Sequence, residues 1–195
     1  MNQLLTSLIS WNVVSAMWGV FVAYWVISAL RVKRTARTET SGTRLATVAL
    51  LVAGAALIFR QTGPFGRLSG RFVPEREWIK GCGELLVAAG VGLAIWARWH
   101  IGQFWSARVT LKEDHRLIQS GPYARVRHPI YTGVLLAMIG SALFVGEWRA
   151  LLGVALVFVT HWLKARREEA LLTEQFGTQY QEYRERTGSL VPRLH

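Results

Sequence analysis

The sequence predicts an all-α integral membrane protein with five transmembrane helices, of which the last two form a helical hairpin. Hydrophobic residues make up 51% of the 195 residues and the mean hydropathy is +0.24, which is typical of a small membrane protein with polar loops. The apolar residues are gathered into five runs separated by polar segments. No alternation of strand and helix patterns occurs along the chain, so an open α/β sheet is not expected.

The N-terminal region, residues 1–97, contains three of the predicted spans, at about 11–30, 45–59 and 80–97. The first has no charged residue and, at about 1.5 Å per residue, is long enough to cross about 30 Å of hydrocarbon. A signal peptide is a competing interpretation, but no basic residue precedes Arg31 and no small-residue cleavage site follows the run. The second span is short for a bilayer unless its ends recruit neighbouring groups.

The basic residues of the chain lie mainly in the segments between the apolar runs. The formal net charge is +11, and residues 31–44 and 98–127 carry many of the Lys and Arg residues. Because cytoplasmic loops of membrane proteins are rich in these residues, the pattern places the N-terminus outside and the C-terminus in the cytoplasm. Basic residues dispersed in this way do not indicate a nucleic-acid partner. The one cysteine, Cys82, and the five histidines lack metal-ligand spacing, so no metal site is expected.

The C-terminal region, residues 98–195, contains the predicted hairpin at 129–163. Its two apolar runs are separated only by residues 146–149, and a connection this short implies two antiparallel helices. The ends of the hairpin then return to one face and bring His128 near Lys164. Pro129 suits the first position of a helix, and the free N–H groups of that helix start favour an anionic group nearby.

The chain beyond residue 163 becomes polar and continues as cytoplasmic helices. Gly177 is expected to end the first of them. Phe176, Tyr180, Tyr183 and Thr187 then recur at helical spacing, which predicts a short amphipathic tail. This tail either folds back over the hairpin end or lies on the membrane.

One ordered set of motifs carries a family resemblance. It consists of His115-x-Leu117-Ile118, then Gly121-x-Tyr123-x-x-x-Arg127-His128-Pro129-x-Tyr131, then Glu168-Glu169 and Phe176-Gly177-x-x-Tyr180-x-x-Tyr183. From roughly residue 100 to the end, this pattern resembles the isoprenylcysteine carboxyl methyltransferase family. Relatives that methylate phospholipid amines share part of it.

The resemblance implies S-adenosylmethionine as methyl donor, bound at a site that faces the cytoplasm. The cofactor combines a sulfonium cation, an amino acid with both charges and an adenosine, so its site needs charged partners, an aromatic or apolar slot and backbone donors. The resemblance implies that the cofactor-binding residues are those at the matching motif positions: His115, Arg116, Leu117, Ile118, Tyr123, His128, Pro129, Ile130, Tyr131 and Glu168.

The resemblance also implies that the methyl acceptor is the carboxylate of an isoprenylated cysteine or a similar amphiphile held in the bilayer. A carboxylate is already a nucleophile at neutral pH, so no catalytic residue is expected and the protein supplies alignment and desolvation. The family has an Arg four residues before the cofactor-binding Glu, where this chain has Lys164. Lys cannot form the bidentate fork of Arg, so Arg127, Arg166 or Arg167 could compensate, depending on which way the helix faces.

Two other functions remain open from the sequence. A phospholipid amine N-methyltransferase would need a base to deprotonate the amine before attack, and the cationic surroundings of Arg127 and Lys164 favour an acid acceptor instead. A non-enzymatic lipid-binding membrane protein would not bind S-adenosylmethionine. Under that hypothesis Tyr123 and Tyr131 are interfacial residues, and Glu168 only pairs with Lys164 along its helix.

Overall fold

The computed structural model describes residues 2–29, 41–60, 63, 65–102 and 117–193. Within these residues there is no β-strand, which confirms the all-helical expectation. Short 3-10 helices at Gly66–Ser69 and Gly121–Ala124 lie in the connections. The α-helices are α1 (Asn2–Ala29), α2 (Ser41–Phe59), α3 (Glu77–Ile101), α4 (Pro129–Val145), α5 (Trp148–Phe176) and α6 (Thr178–Arg186).

Two of the described helices are long and apolar enough to cross a membrane. They are α1, over Asn12–Ala29, and α3, over Glu77–Ile101, each with a mean hydropathy of 1.5. Shorter apolar helices run over Leu45–Phe59 and Pro129–Val145. Large apolar side chains on α1 and α2 are exposed, as on helices that face lipid.

Helices α3 and α4 make the closest helix pair, because glycines face each other across the contact. A Cβ added at Gly90 would lie 2.4 Å from the backbone nitrogen of Ala137, and one at Gly133 would lie 2.6 Å from that of Ala94. The two backbones therefore touch directly, as is common where helices pack without a large hydrophobic driving force. This pair is the frame that positions the start of α4.

Arg149 joins the hairpin to α2 at the end of the molecule opposite the start of α4. Its buried guanidinium donates to the carbonyls of Leu57 and Ile58, at 2.6 and 3.2 Å, and its Nε lies 2.6 Å from Glu147. The last carbonyls of a helix have no partner within it, so Arg149 caps α2. Helix α5 begins at Trp148, before the apolar run that starts at Ala150, and its first turn therefore contains the charged Arg149.

The hairpin connection and the end of α5 are both formed at glycines. Gly146, with φ of 73°, makes the turn between α4 and α5. Helix α5 continues without a break through the polar residues after 163 to Phe176, and Gly177, with φ of 51°, ends it as expected. Both angles lie in the left-handed region that glycine adopts most easily.

The C-terminal segment, residues 187–193, runs beside the loop that precedes α4. The backbone N–H of Arg127 donates to Gly188 O at 2.9 Å, and that of His128 donates to Ser189 O at 3.1 Å. The Tyr183 hydroxyl donates to the carbonyl of Tyr123 at 2.6 Å. Of the two alternatives left open by the sequence, the tail therefore folds back over the hairpin end.

Candidate active site

His128 lies between two neighbouring carboxylates of α5. It is the residue before α4 and is 7% exposed. Its Nδ1 is 3.4 Å from Glu168 Oε2, and its Nε2 is 3.2 Å from Glu169 Oε1. Burial disfavours the charged ring, but the hydrogen bonds to Glu168 and Glu169 outweigh it and raise the pKa of His128. His128 therefore holds its proton more tightly than a free imidazole does.

The Glu168 side of His128 is aromatic and cationic. The Tyr131 hydroxyl donates to Glu168 Oε1 at 2.7 Å, and the Tyr131 ring stacks on the His128 ring with 5.4 Å between centroids and 4° between planes. Lys164 Nζ lies 5.5 Å from the centroid of the Tyr131 ring. Burial raises the pKa of Glu168, but His128 and Lys164 outweigh it, so the pKa is lowered and the carboxylate is ionised.

The Glu169 side of His128 is tied to the C-terminal segment. Glu169 Oε1 accepts from Arg127 Nε at 2.9 Å and from the Ser189 hydroxyl at 2.9 Å. Burial raises the pKa of Glu169, but His128 and Arg127 outweigh it and lower that pKa to about 2. Arg127 also donates to the carbonyl of Thr187. Glu169 and Arg127 thus fasten the C-terminal segment over the loop.

Most of the other predicted cofactor residues are packed against one another, next to His128 and its two carboxylate partners. Tyr123 and Ile130 are buried against Ala97, with Ile118 packed on them, and the Tyr123 hydroxyl donates to Ala97 O at 3.4 Å. Burial raises the pKa of Tyr123 above its ordinary value. Pro129 is fully buried in the first turn of α4, and Leu117 is half-buried. The predicted residues His115 and Arg116 lie outside the described residues.

The sequence analysis missed several side chains that the fold brings to this cluster. Ser189 and Thr187 hold the Glu169 side, and their positions depend on the course of the C-terminal segment. His161 is 8% exposed and its ring meets the Tyr131 ring edge-on, with 4.8 Å between centroids. The place of His161 near the site could have been predicted from the sequence, because it lies three residues before Lys164 and shares that face of α5.

The family assignment rests on residues 78–179. The sequence profile described as phospholipid methyltransferase matches this range, which is more than half of the chain. The range includes His128 and the residues around it on α4 and α5, but not the C-terminal segment. The chain belongs to the phospholipid methyltransferase family. This family includes the isoprenylcysteine methyltransferases that the motifs resemble, so the resemblance is confirmed.

Curated proteins named as isoprenylcysteine methyltransferases are similar to part of this chain. The protein-S-isoprenylcysteine O-methyltransferase of Schizosaccharomyces pombe is 35% identical over 94 residues, which are 47% of this chain and 40% of that protein. The protein-S-isoprenylcysteine O-methyltransferase B of Arabidopsis thaliana is 30% identical over 123 residues, 60% of this chain and 61% of that protein. This chain thus matches about half the length of these relatives.

A solved structure of the phospholipid methyltransferase family has the same fold. It is a eukaryotic intramembrane Ras methyltransferase, described as isoprenylcysteine carboxyl methyltransferase. The match has a TM-score of 0.51 at 22% sequence identity and covers 80% of this chain and 54% of that one. The likeness shows that this chain shares the helical fold of that structure.

The side chains on the Glu168 side fit the chemistry of S-adenosylmethionine. An ionised, partly exposed carboxylate attracts a sulfonium or an α-ammonium group, and an aromatic face does the same through its quadrupole. The Lys164 ammonium over the Tyr131 ring shows that this ring accepts a cation in the folded protein. The residues present are therefore compatible with this methyl donor.

Proposed function

We propose that this protein is an integral membrane methyltransferase that transfers a methyl group from S-adenosylmethionine to the carboxylate of an isoprenylated cysteine or a similar membrane-held acid. The observation that carries the proposal is the cluster in which Glu168, kept ionised, joins the Tyr131 hydroxyl and the His128 ring. The names of the curated relatives support the choice of acceptor.

The cofactor contacts are assigned to the loop before α4 and to α5. When bound, the cofactor supplies a methyl group activated by its sulfonium charge. Glu168 and Tyr131 attract the cationic part, and His128 keeps the Glu168 carboxylate ionised and fixed in place. Tyr123, Ile130 and the residues at 115–118 are assigned to the remainder of the cofactor, where packed apolar and aromatic side chains exclude water.

Lys164 is assigned to the acceptor carboxylate. It lies one helical turn before Glu168 on the same face of α5, on the side of the apolar part of that helix. Of the other candidates, Arg127 directs its guanidinium to Glu169 and Thr187, so its role in this proposal is to hold the loop. The exposed Arg166 stacks on Trp162 of the same helix. No general base is needed for a carboxylate, so Lys164 contributes by aligning the acceptor.

The membrane topology follows the charge pattern. Helices α1 to α4 and the apolar part of α5 are the five proposed spans, with the N-terminus outside and the His128 cluster in the cytoplasm. The basic loops support this orientation. The acceptor would then reach Lys164 from the bilayer, while the methyl donor reaches Glu168 from the cytoplasm.

The test is transfer of labelled methyl from S-adenosylmethionine to a small prenylated cysteine by the purified protein in detergent. We expect base-labile label, because a methyl ester is hydrolysed by base. Base-stable label in phospholipid would point to an amine acceptor, and absence of cofactor binding would overturn the proposal.

Two substitutions separate the proposed roles. Glu168→Ala should abolish cofactor binding, whereas Lys164→Ala should leave cofactor binding intact and raise the KM for the prenylated cysteine. The control is Arg166→Ala, whose exposed side chain stacks on Trp162 of the same helix and should change neither quantity. Loss of cofactor binding in Lys164→Ala would contradict this division.

A further inference from the structure

A cleft of about 630 Å³ lies between α6 and the C-terminal segment, on the Glu169 side of His128. Neither Glu168 nor Tyr131 lines it, so it is separate from the proposed methyl-transfer site. Its polar and charged lining residues are Arg127, Gln181, Arg184, Glu185, Thr187, Ser189 and Arg193. Three guanidinium groups therefore border the cleft, against one carboxylate.

The charges of two of these arginines are weakly compensated. Arg184 has a 48% exposed side chain, and its Nε is 3.8 Å from Glu169, which is already held by Arg127 and His128. Arg193 is exposed and donates from Nη1 to the main-chain carbonyl of Glu185 rather than to its carboxylate. Both guanidinium groups thus retain donors and positive charge for a further anionic partner.

We propose that this cleft binds a phosphate group, either free or as the phosphomonoester headgroup of a lipid. A guanidinium presents paired N–H donors that match two phosphate oxygens. A phosphomonoester carries roughly 1.5 to 2 negative charges near pH 7, which suits the two weakly compensated guanidinium groups of Arg184 and Arg193, while Arg127 is already paired with Glu169. The proposal does not depend on the methyltransferase activity.

A phosphate in this position connects two parts of the chain. Arg184 belongs to α6 and Arg193 to the C-terminal segment, so one anion between them joins both elements. Binding to the folded state alone raises the free energy of unfolding by mass action. Thermal stability is therefore a direct measure of occupancy, without any need for a turnover assay.

The experiment uses the full chain in nanodiscs of phosphatidylcholine. Inorganic phosphate replaces chloride at constant pH and ionic strength, and the Tm is followed as a function of phosphate concentration. We expect a saturable rise in Tm, and we expect Arg184→Gln and Arg193→Gln each to weaken the apparent phosphate affinity about tenfold. Arg186→Gln, on the same helix but outside the cleft, is the matched control and should bind phosphate as the unmodified chain does.

A second arm distinguishes the source of the phosphate. Nanodiscs containing phosphatidic acid, without free phosphate, should raise the Tm of the unmodified chain but not of Arg184→Gln if the ligand is a lipid headgroup. A response to free phosphate alone identifies a soluble ligand. Equal rises in the cleft variants and in the control would mean a general salt effect and overturn the proposal, as would no rise in either arm.

Discussion

Glu169 is the residue through which the fold of the C-terminal segment can be tested most sharply. Its Oε1 accepts from Arg127, His128 and Ser189, whereas its Oε2 lies 3.8 Å from Arg184 Nε. In Glu169→Gln the amide oxygen can take the place of Oε1 and keep all three hydrogen bonds, so only the charge is lost. In Glu169→Ala the bonds are lost as well.

The expected magnitudes follow from this difference. A hydrogen bond to a charged acceptor contributes roughly 1 kcal/mol more than a neutral one, so losing the charge at two cationic donors should cost about 2 kcal/mol in Glu169→Gln. Removing the whole group leaves the Arg127 guanidinium, with a 9% exposed side chain, without its partner. Breaking a buried pair in this way costs about 3–5 kcal/mol, which is the expectation for Glu169→Ala.

The assay is the free energy of unfolding in detergent, measured together with the rate at which trypsin cleaves the C-terminal segment. The free energy of unfolding should be highest for the unmodified chain, lower for Glu169→Gln and lowest for Glu169→Ala. Cleavage of the C-terminal segment should become faster in the same order. Glu182→Gln, an exposed carboxylate on α6, is the control and should lie within about 0.5 kcal/mol of the unmodified chain. If both Glu169 variants match this control, the carboxylate does not hold the segment.

Three further changes test other parts of the structure. Gly90→Ala should lower the free energy of unfolding by about 1–3 kcal/mol, because its Cβ would lie 2.4 Å from a backbone nitrogen of α4. Gly92→Ala is the control and should leave the free energy of unfolding unchanged, because a Cβ there meets open space. Tyr183→Phe should lower the free energy of unfolding by about 1 kcal/mol, because the hydrogen bond to the loop is lost. Tyr180→Phe should leave the free energy of unfolding unchanged or raise it, since the buried Tyr180 hydroxyl has no partner in the described part of the chain. Because the folded-state pKa of His128 is raised from 6.5, its stabilising contribution should be complete below about pH 6.5 and disappear as pH rises through the raised pKa, as measured by unfolding at several pH values.

Each of these results has a contrary outcome. Equal stability of Gly90→Ala and Gly92→Ala would mean that α3 and α4 do not touch at their backbones. A destabilised Tyr180→Phe would show that its hydroxyl makes a hydrogen bond in the folded protein. A free energy of unfolding that does not change from pH 6 to 9 would contradict the prediction for His128. So would a fall with pH that is equally large in His128→Gln, because the pH dependence would then come from another group.

The sequence was sufficient where the structure depends on local backbone chemistry or on a short connection. Pro129 starts α4 and Gly177 ends α5, because these residues restrict or extend the backbone angles at their own positions. The hairpin also predicted that His128 comes near Lys164, because its two ends return to one face; in the structure His128 contacts Glu168, one helical turn further along α5. These inferences needed no knowledge of distant contacts.

The sequence was insufficient where a contact depends on the path of an irregular segment. The pairing of loop residues 125–128 with residues 188–189 has no periodic pattern and joins positions about sixty residues apart. Arg149 looked like the polar boundary of an apolar run, yet its guanidinium is buried as the cap of α2. In the first case donor and acceptor are both main-chain groups, and in the second the acceptor is a main-chain carbonyl, so neither pairing has a signature in the sequence.

The two glutamates show how the helix geometry divides one motif between two tasks. Adjacent residues of an α-helix point about 100° apart, so Glu168 and Glu169 approach His128 from different directions. His128 places one ring nitrogen against each carboxylate. The aromatic cluster at Tyr131 and the C-terminal segment at Ser189 are therefore connected through a single imidazole ring. Loss of a proton from this ring weakens both contacts together.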